Sequence, residues 1–285
     1  MHRPGTLFER DTTTRPRPRG AVIIVAVVGI WAGTAINQAA DQAGRDRSAP
    51  SGSKPTIDDA IAFGKARLAA VNDLKDYTAT LKKTEWIDKR VVEQELDMKF
   101  RTKPFGVYLL YQSPKEKGRQ ALYSAGENDD RLLVREGGEK GRAGTYSMPP
   151  DDPKVLYESR YPVTDIGMAK LLEKALAIWE ADKKTAPGSV AVVIDNHAQL
   201  EGTEYDLVQV THLKQSAGAK YQLGRVFFDK QSKLPVRAEQ YGWPDTAGAK
   251  PLLLEEYTYT NIELNVGLAD GDFDSKNDKY SFNAK

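Results

Sequence analysis

The chain has 285 residues, enough for one large domain or two small ones, with 40% hydrophobic and 28% charged residues, a balance typical of a soluble globular body. Its formal charge is +1, yet the first twenty residues carry five arginines against Glu9 and Asp11, so the remainder is slightly acidic and offers no electrostatic footprint for nucleic acid. There is no cysteine, which excludes disulfides, thiolate catalysis, thiolate-bound zinc and the acylated cysteine of a bacterial lipoprotein.

Residues 1–20 read as a basic, cytoplasmic n-region with Arg15-Pro16-Arg17-Pro18-Arg19. Residues 21–36 (AVIIVAVVGIWAGTAI) are uncharged and apolar, the pattern of a signal peptide or signal anchor. No adjacent twin arginines precede this run, which points to the Sec route. Uncleaved, the run would tie the chain to the inner membrane. Cleaved, it would leave a soluble periplasmic protein. Residues 37–55 form a flexible linker rich in Ala, Gln, Asp, Ser and Gly.

A single exported, β-rich domain is expected over 56–282. Thr56 with Asp59 forms a capping-box pattern opening an amphipathic helix over 57–73, with Gly64 as its weak point. Strands are expected at 76–87, 91–101 and 106–111. In the second, Val92, Leu96, Met98 and Phe100 share one parity and charged residues the other. Short strands follow at 120–124 and 132–135 around a hairpin loop, and 137–153 should be irregular because of its Gly and Pro content. Thr164 is placed as the cap of a second helix, 165–184, with an apolar stripe through Leu171, Leu172, Leu176 and Trp179. Five further strands are expected at 190–195, 204–213, 220–229, 234–242 and 252–264, the last placing Leu253, Tyr257 and Tyr259 on one face.

The resulting fold class is α+β: a strongly curved antiparallel sheet, a half-open β-barrel, covered by two helices and preceded by the N-terminal hydrophobic export or anchor helix. Such a sheet can enclose an apolar cavity. Its candidate lining residues are Leu96, Met98, Phe100, Leu109, Tyr111, Leu172, Leu176, Trp179, Tyr257 and Tyr259. For any one aromatic, cross-strand packing is the competing explanation.

Chemistry-bearing motifs are sparse. No HExxH, GxSxG, phosphate-binding loop or GxGxxG stands in the chain, so no catalytic residue, metal site or cofactor is nominated. His197, expected in a loop, and His212, near a strand end, are solitary. Asp270, Asp272 and Asp274 imitate the start of a calcium loop, but Ser275 and Ser281 stand where its glycine and bidentate acid belong.

The body resembles a secreted domain family of unknown function common in planctomycete bacteria. The likeness lies in Asp76-Tyr77-Thr78-Ala79, Lys99-Phe100-Arg101 with Pro104-Phe105 and Val107-Tyr108-Leu109, and Gly118-Arg119 with Leu122-Tyr123. It continues through Leu234-Pro235-Val236-Arg237, Tyr241-Gly242-Trp243-Pro244, Glu256-Tyr257-Thr258-Tyr259 and Leu264-Asn265-Val266-Gly267-Leu268 with Asp272-Phe273, from about residue 65 to the end. That family implies no activity or catalytic residues. More distantly, the element order is similar to that of the Lol-type periplasmic lipoprotein carriers, half-open barrels with helices plugging a hydrophobic cavity. Together these features suggest a non-enzymatic cell-envelope protein that binds a lipid or the acyl chain of a lipoprotein. The alternatives are an envelope hydrolase using His197 or His212, and a structural module that docks a partner through a strand edge.

Overall fold

The computed structural model describes residues 54–283 apart from 186–187, 216–218 and 247. The basic n-region, the signal or anchor segment 21–36 and nearly all of the linker lie outside the described residues. Among the described residues, no helix is long and apolar enough to cross a membrane.

Helix α1 (Ile57–Asn72) starts where the cap pattern places it. The Asp59 carboxylate accepts the Thr56 N–H at 2.7 Å, and the Thr56 hydroxyl oxygen accepts the Asp59 N–H at 3.4 Å. Strands β1 (Asp76–Ile87) and β2 (Arg90–Arg101) form a hairpin whose turn residues Asp88 and Lys89 both have positive φ, as a two-residue twisted turn requires. Next come β3 (Gly106–Tyr111), β4 (Gln120–Ser124), β5 (Leu132–Arg135) and β6 (Thr145–Met148), then the short helix α2 (Pro153–Leu156) and helix α3 (Met168–Thr185). The chain continues as β7 (Val190–Leu200), β8 (Thr203–His212), β9 (Leu223–Asp229), β10 (Pro235–Tyr241) and β11 (Leu253–Leu264).

All eleven strands join one antiparallel sheet in the order β6-β5-β4-β3-β2-β1-β11-β10-β9-β8-β7. Each half is a meander, and only the β1–β11 seam joins distant parts of the chain. The fold is α+β, with a sheet that does not close, since β6 and β7 are its two edges.

Alternation sets the inner face. Tyr77, Ala79 and Leu81 oppose Phe100, Met98 and Leu96, all buried, and the Tyr77 and Phe100 rings stack at 4.8 Å. Helices α1 and α3 pack on each other and on the β7–β10 half of the sheet. Their contact is close: a Cβ on Gly64 would stand 2.8 Å from Leu176 Cδ2 and 3.0 Å from Trp179. Gly64, intrinsically unfavourable within a helix, is therefore also the point where the helices approach.

A second cluster lies on the opposite face, where Tyr108, Leu122 and Leu133 meet Phe273 and Phe282 from the C-terminal segment. Strands β3, β4 and β5 are thus buried on both faces. Gly106 permits this, because a Cβ there would lie 2.8 Å from the Phe273 ring.

Three expectations are corrected. The segment 137–153 is not wholly irregular: it contains a 3₁₀ turn, Gly138–Ala143, and strand β6, which exists because β5 offers it a ladder. Thr164 does not cap α3. It sits in the 3₁₀ turn Val163–Asp165, and α3 begins only after Gly167, which has φ +111°. His197 lies in β7 and not in a loop; an irregularity between Asp195 and Ala198 disturbs the alternation that would reveal the strand. The closing segment contributes Phe273 and Phe282 to the second cluster.

Candidate functional site

The half of the inner face not covered by the α1–α3 pair carries a cavity of about 730 Å³. Its floor is a cross-strand row. Tyr259 pairs with Leu81, Leu81 with Leu96, and Leu96 with Tyr111, while Leu109 pairs with Ala121 and Ala121 with Val134. All line the cavity, joined by Leu132. Its other wall is the connection before α3, through Val155, Pro162, Val163 and Ile166, with Leu171 from α3 itself. Period-two alternation projects every floor residue to the same side, and the meander sets the strands next to one another.

Of the ten residues nominated from sequence, Leu96, Leu109, Tyr111, Tyr257 and Tyr259 line this cavity. Met98, Phe100, Leu172, Leu176 and Trp179 are buried in the main core, packed with α1, α3 and neighbouring strands. Leu81, Ala121, Leu132 and Val134 were missed as lining residues. Leu81 was within reach, because it shares parity with Tyr77 and Ala79.

One end of the cavity wall is polar. Glu85 and Glu255 are almost fully buried and stand opposite each other across the β1–β11 seam. Lys83 Nζ donates to Glu85 at 3.0 Å, to Ser159 Oγ at 3.1 Å and to the Glu158 carbonyl at 3.3 Å, which occupies all three of its protons. The Tyr257 hydroxyl lies within hydrogen-bond distance of both carboxylates, and Tyr161 and Tyr221 donate to Glu255 at 3.1 and 2.8 Å. Arg160 Nε stands 3.2 Å from Glu255, and its backbone N–H donates to Glu85. Two carboxylates thus face two cations and three hydroxyls.

Burial, followed by the charge of Glu255, pushes the Tyr161 hydroxyl up to about 12. Burial and Glu85 push Tyr257 well above the ordinary tyrosine value. The tyrosines accordingly stay protonated and serve as donors. This network fixes the end of the cavity and presents no free base.

Nearer the rim, Arg119 binds Glu136 at 3.0 Å and also Glu158, with its guanidinium 5.2 Å from the Tyr111 ring centroid. Lys174 pairs with Asp165 at 2.8 Å and lies 3.5 Å from the Tyr161 ring centroid.

Neither histidine lines the cavity. His212 Nε2 is 2.9 Å from Asp182 Oδ1 in a buried pair joining β8 to α3, and His197 Nδ1 is 3.0 Å from Glu204 on an exposed strand. Asp270 and Asp272 pair with Arg101 and Lys99, each at 2.7 Å, and the Asp274 carboxylate accepts the Lys276 N–H. Among the described residues, no group of three or more His, Cys, Asp or Glu is placed to hold a metal ion.

The protein is thus of the class built on an open antiparallel sheet with helices on one face and an apolar cavity beside them. The chain belongs to the family described as protein of unknown function (DUF1571), which matches residues 74–282. The sequence resemblance to a secreted domain family of unknown function is met there. No curated protein matches this sequence. Similar solved structures include the Mycobacterium tuberculosis lipoprotein LppX, 13% identical over 76% of this chain and 99% of that one, TM-score 0.42. A putative outer membrane lipoprotein-sorting protein domain from Vibrio parahaemolyticus is 11% identical over 77% and 97%, TM-score 0.34. A LolA superfamily protein from Nitrosomonas europaea is 12% identical over 74% and 97%, TM-score 0.34. These likenesses concern the fold alone.

Proposed function

We propose that this protein binds a hydrophobic ligand, a lipid or the acyl chain of a lipoprotein, in the cavity over β1–β5 and β11, and that it does so in the cell envelope. The open sheet would act as a half-open barrel, and 56–282 as one exported domain behind the apolar segment 21–36, cleaved or retained as an anchor. The observation that carries the reading is the cavity itself. About 730 Å³ walled by Leu81, Leu96, Leu109, Leu132 and Tyr259 falls within the roughly 300–1,000 Å³ of typical ligand pockets. An alkyl chain there needs no reactive group, since each buried methylene contributes about 0.8 kcal/mol. The hydrolase alternative calls for a histidine and a carboxylate converging in a polar cleft, and His197 and His212 both lie elsewhere.

Ala121 supplies a direct test. It is buried on the cavity floor, and Ala121→Phe fills the space without adding charge. Titration with the neutral apolar fluorophore N-phenyl-1-naphthylamine should show saturable binding to the full chain. Ala121→Phe should weaken that binding at least about tenfold, equivalent to roughly two methylenes of lost burial. Unchanged binding in a folded variant would place any ligand elsewhere.

A further inference from the structure

Five basic residues line the cavity (Lys83, Arg119, Lys140, Lys154 and Lys174) against three acidic ones, Glu136, Glu158 and Asp165. Most of this charge is committed within the protein. Arg119 holds Glu136 and Glu158, Lys174 holds Asp165, and Lys83 spends its three protons on Glu85, Ser159 and the Glu158 carbonyl. Every acidic lining residue therefore has a cationic partner. Lys140, in the 3₁₀ turn Gly138–Ala143, and Lys154, in α2, are exposed and have no carboxylate partner among the described residues. Both line the cavity, Lys140 near Ala143 and Lys154 beside Val155 in sequence. Two ammonium groups without an ion-pair partner, lining an apolar cavity, suit one kind of molecule: an apolar tail ending in an anion.

We infer that the cavity selects an anionic amphiphile, its carboxylate or phosphate head held between Lys140 and Lys154 and its alkyl tail lying on Leu81, Leu96 and Leu109. This rests on the apolar-ligand reading above and adds the chemistry of the head. An ammonium is a compact point charge with rotatable donors, which suits either anion and needs no planar geometry. Direct ion pairing at the rim remains partly screened by solvent, so the preference is moderate.

The test displaces N-phenyl-1-naphthylamine from the full chain with palmitate, hexadecyl phosphate and hexadecanol, which share a sixteen-carbon tail and differ in the head. At least one anionic ligand should bind about tenfold more tightly than hexadecanol, the joint effect expected of two exposed ion pairs. Whichever anion is tighter identifies the head group. Inorganic phosphate alone should displace nothing; displacement by it would show an ion site independent of the tail and overturn the inference. Lys140→Gln/Lys154→Gln should bring the anionic ligands down to the level of hexadecanol and leave hexadecanol unchanged, which also verifies folding. Hexadecanol binding as tightly as both anions, or an unchanged preference in the double variant, would overturn the charge selection and leave the apolar reading standing. Failure of all three ligands would remove the apolar reading and this inference with it.

Discussion

At the scale of single residues, the most constrained group is the Tyr257 hydroxyl. It stands at the β1–β11 seam between two buried carboxylates, Glu85 and Glu255, on directly opposed strand positions. Like charges in that position repel, and they are tolerated only because Lys83, Arg160 and the tyrosine hydroxyls surround them. Removing the hydroxyl leaves part of this buried charge without its donor. Tyr257→Phe should destabilise the fold by about 2 kcal/mol, the order expected for a hydrogen bond to a charged group. A shift in the urea midpoint at constant slope reads this directly. A variant as stable as the parent would mean that the carboxylates do not depend on Tyr257.

At the scale of elements, the α1–α3 contact is set by a missing side chain. In an isolated helix Gly64→Ala would be favourable by about 1 kcal/mol. Here the new methyl would press on Leu176 and Trp179, and overpacking of a buried contact costs typically 1–3 kcal/mol. Gly64→Ala should therefore lower the melting temperature, whereas a rise would show that the helices adjust freely.

Much of this element order was legible in the chain. Alternation, branched and aromatic content and turn residues located ten of the strands, and the capping box located the start of α1 to the residue, because these signals are local. Strand β6 was not legible: Thr145–Met148 is four residues between Gly144 and Pro149, and only its ladder with β5 makes it a strand. Parity placed Leu96, Leu109, Tyr111, Tyr257 and Tyr259 on the inner face. Neither parity nor the helical spacing of α3 could separate them from Met98, Phe100, Leu172, Leu176 and Trp179. Which inward residues are covered depends on where α1 and α3 settle, a tertiary matter. The Glu85–Glu255 pairing was equally hidden, because it exists only through the long-range seam.

At the scale of the whole molecule, charge ties distant elements together. Asp206 on β8 is nearly buried. Burial alone would raise its carboxyl, but the hydrogen bond and charge of Lys230, with Lys233 and Arg67, outweigh it and hold the group below the ordinary carboxylate value. For Asp272, Lys99 and the Ala269 N–H outweigh burial in the same direction. A carboxyl depressed in the folded state contributes stability above its unfolded pKa, and that contribution disappears as pH falls through the folded value. Stability should consequently hold through neutral pH and decline below about pH 4, where unfolded carboxylates take up protons. Asp206→Asn should flatten that acid limb. An acid limb identical to the parent's would show that Asp206 contributes nothing to it.

The ligand reading also belongs to this scale, because the cavity is made jointly by β1–β6, β11, the connection before α3 and α3 itself. Its most direct test is native mass spectrometry of the protein expressed from the whole 285-residue sequence and purified without detergent. The proposed function predicts extra mass matching a lipid or acylated peptide, diminished in Ala121→Phe. A clean apo mass, with no uptake of added fatty acid or phospholipid, would contradict it.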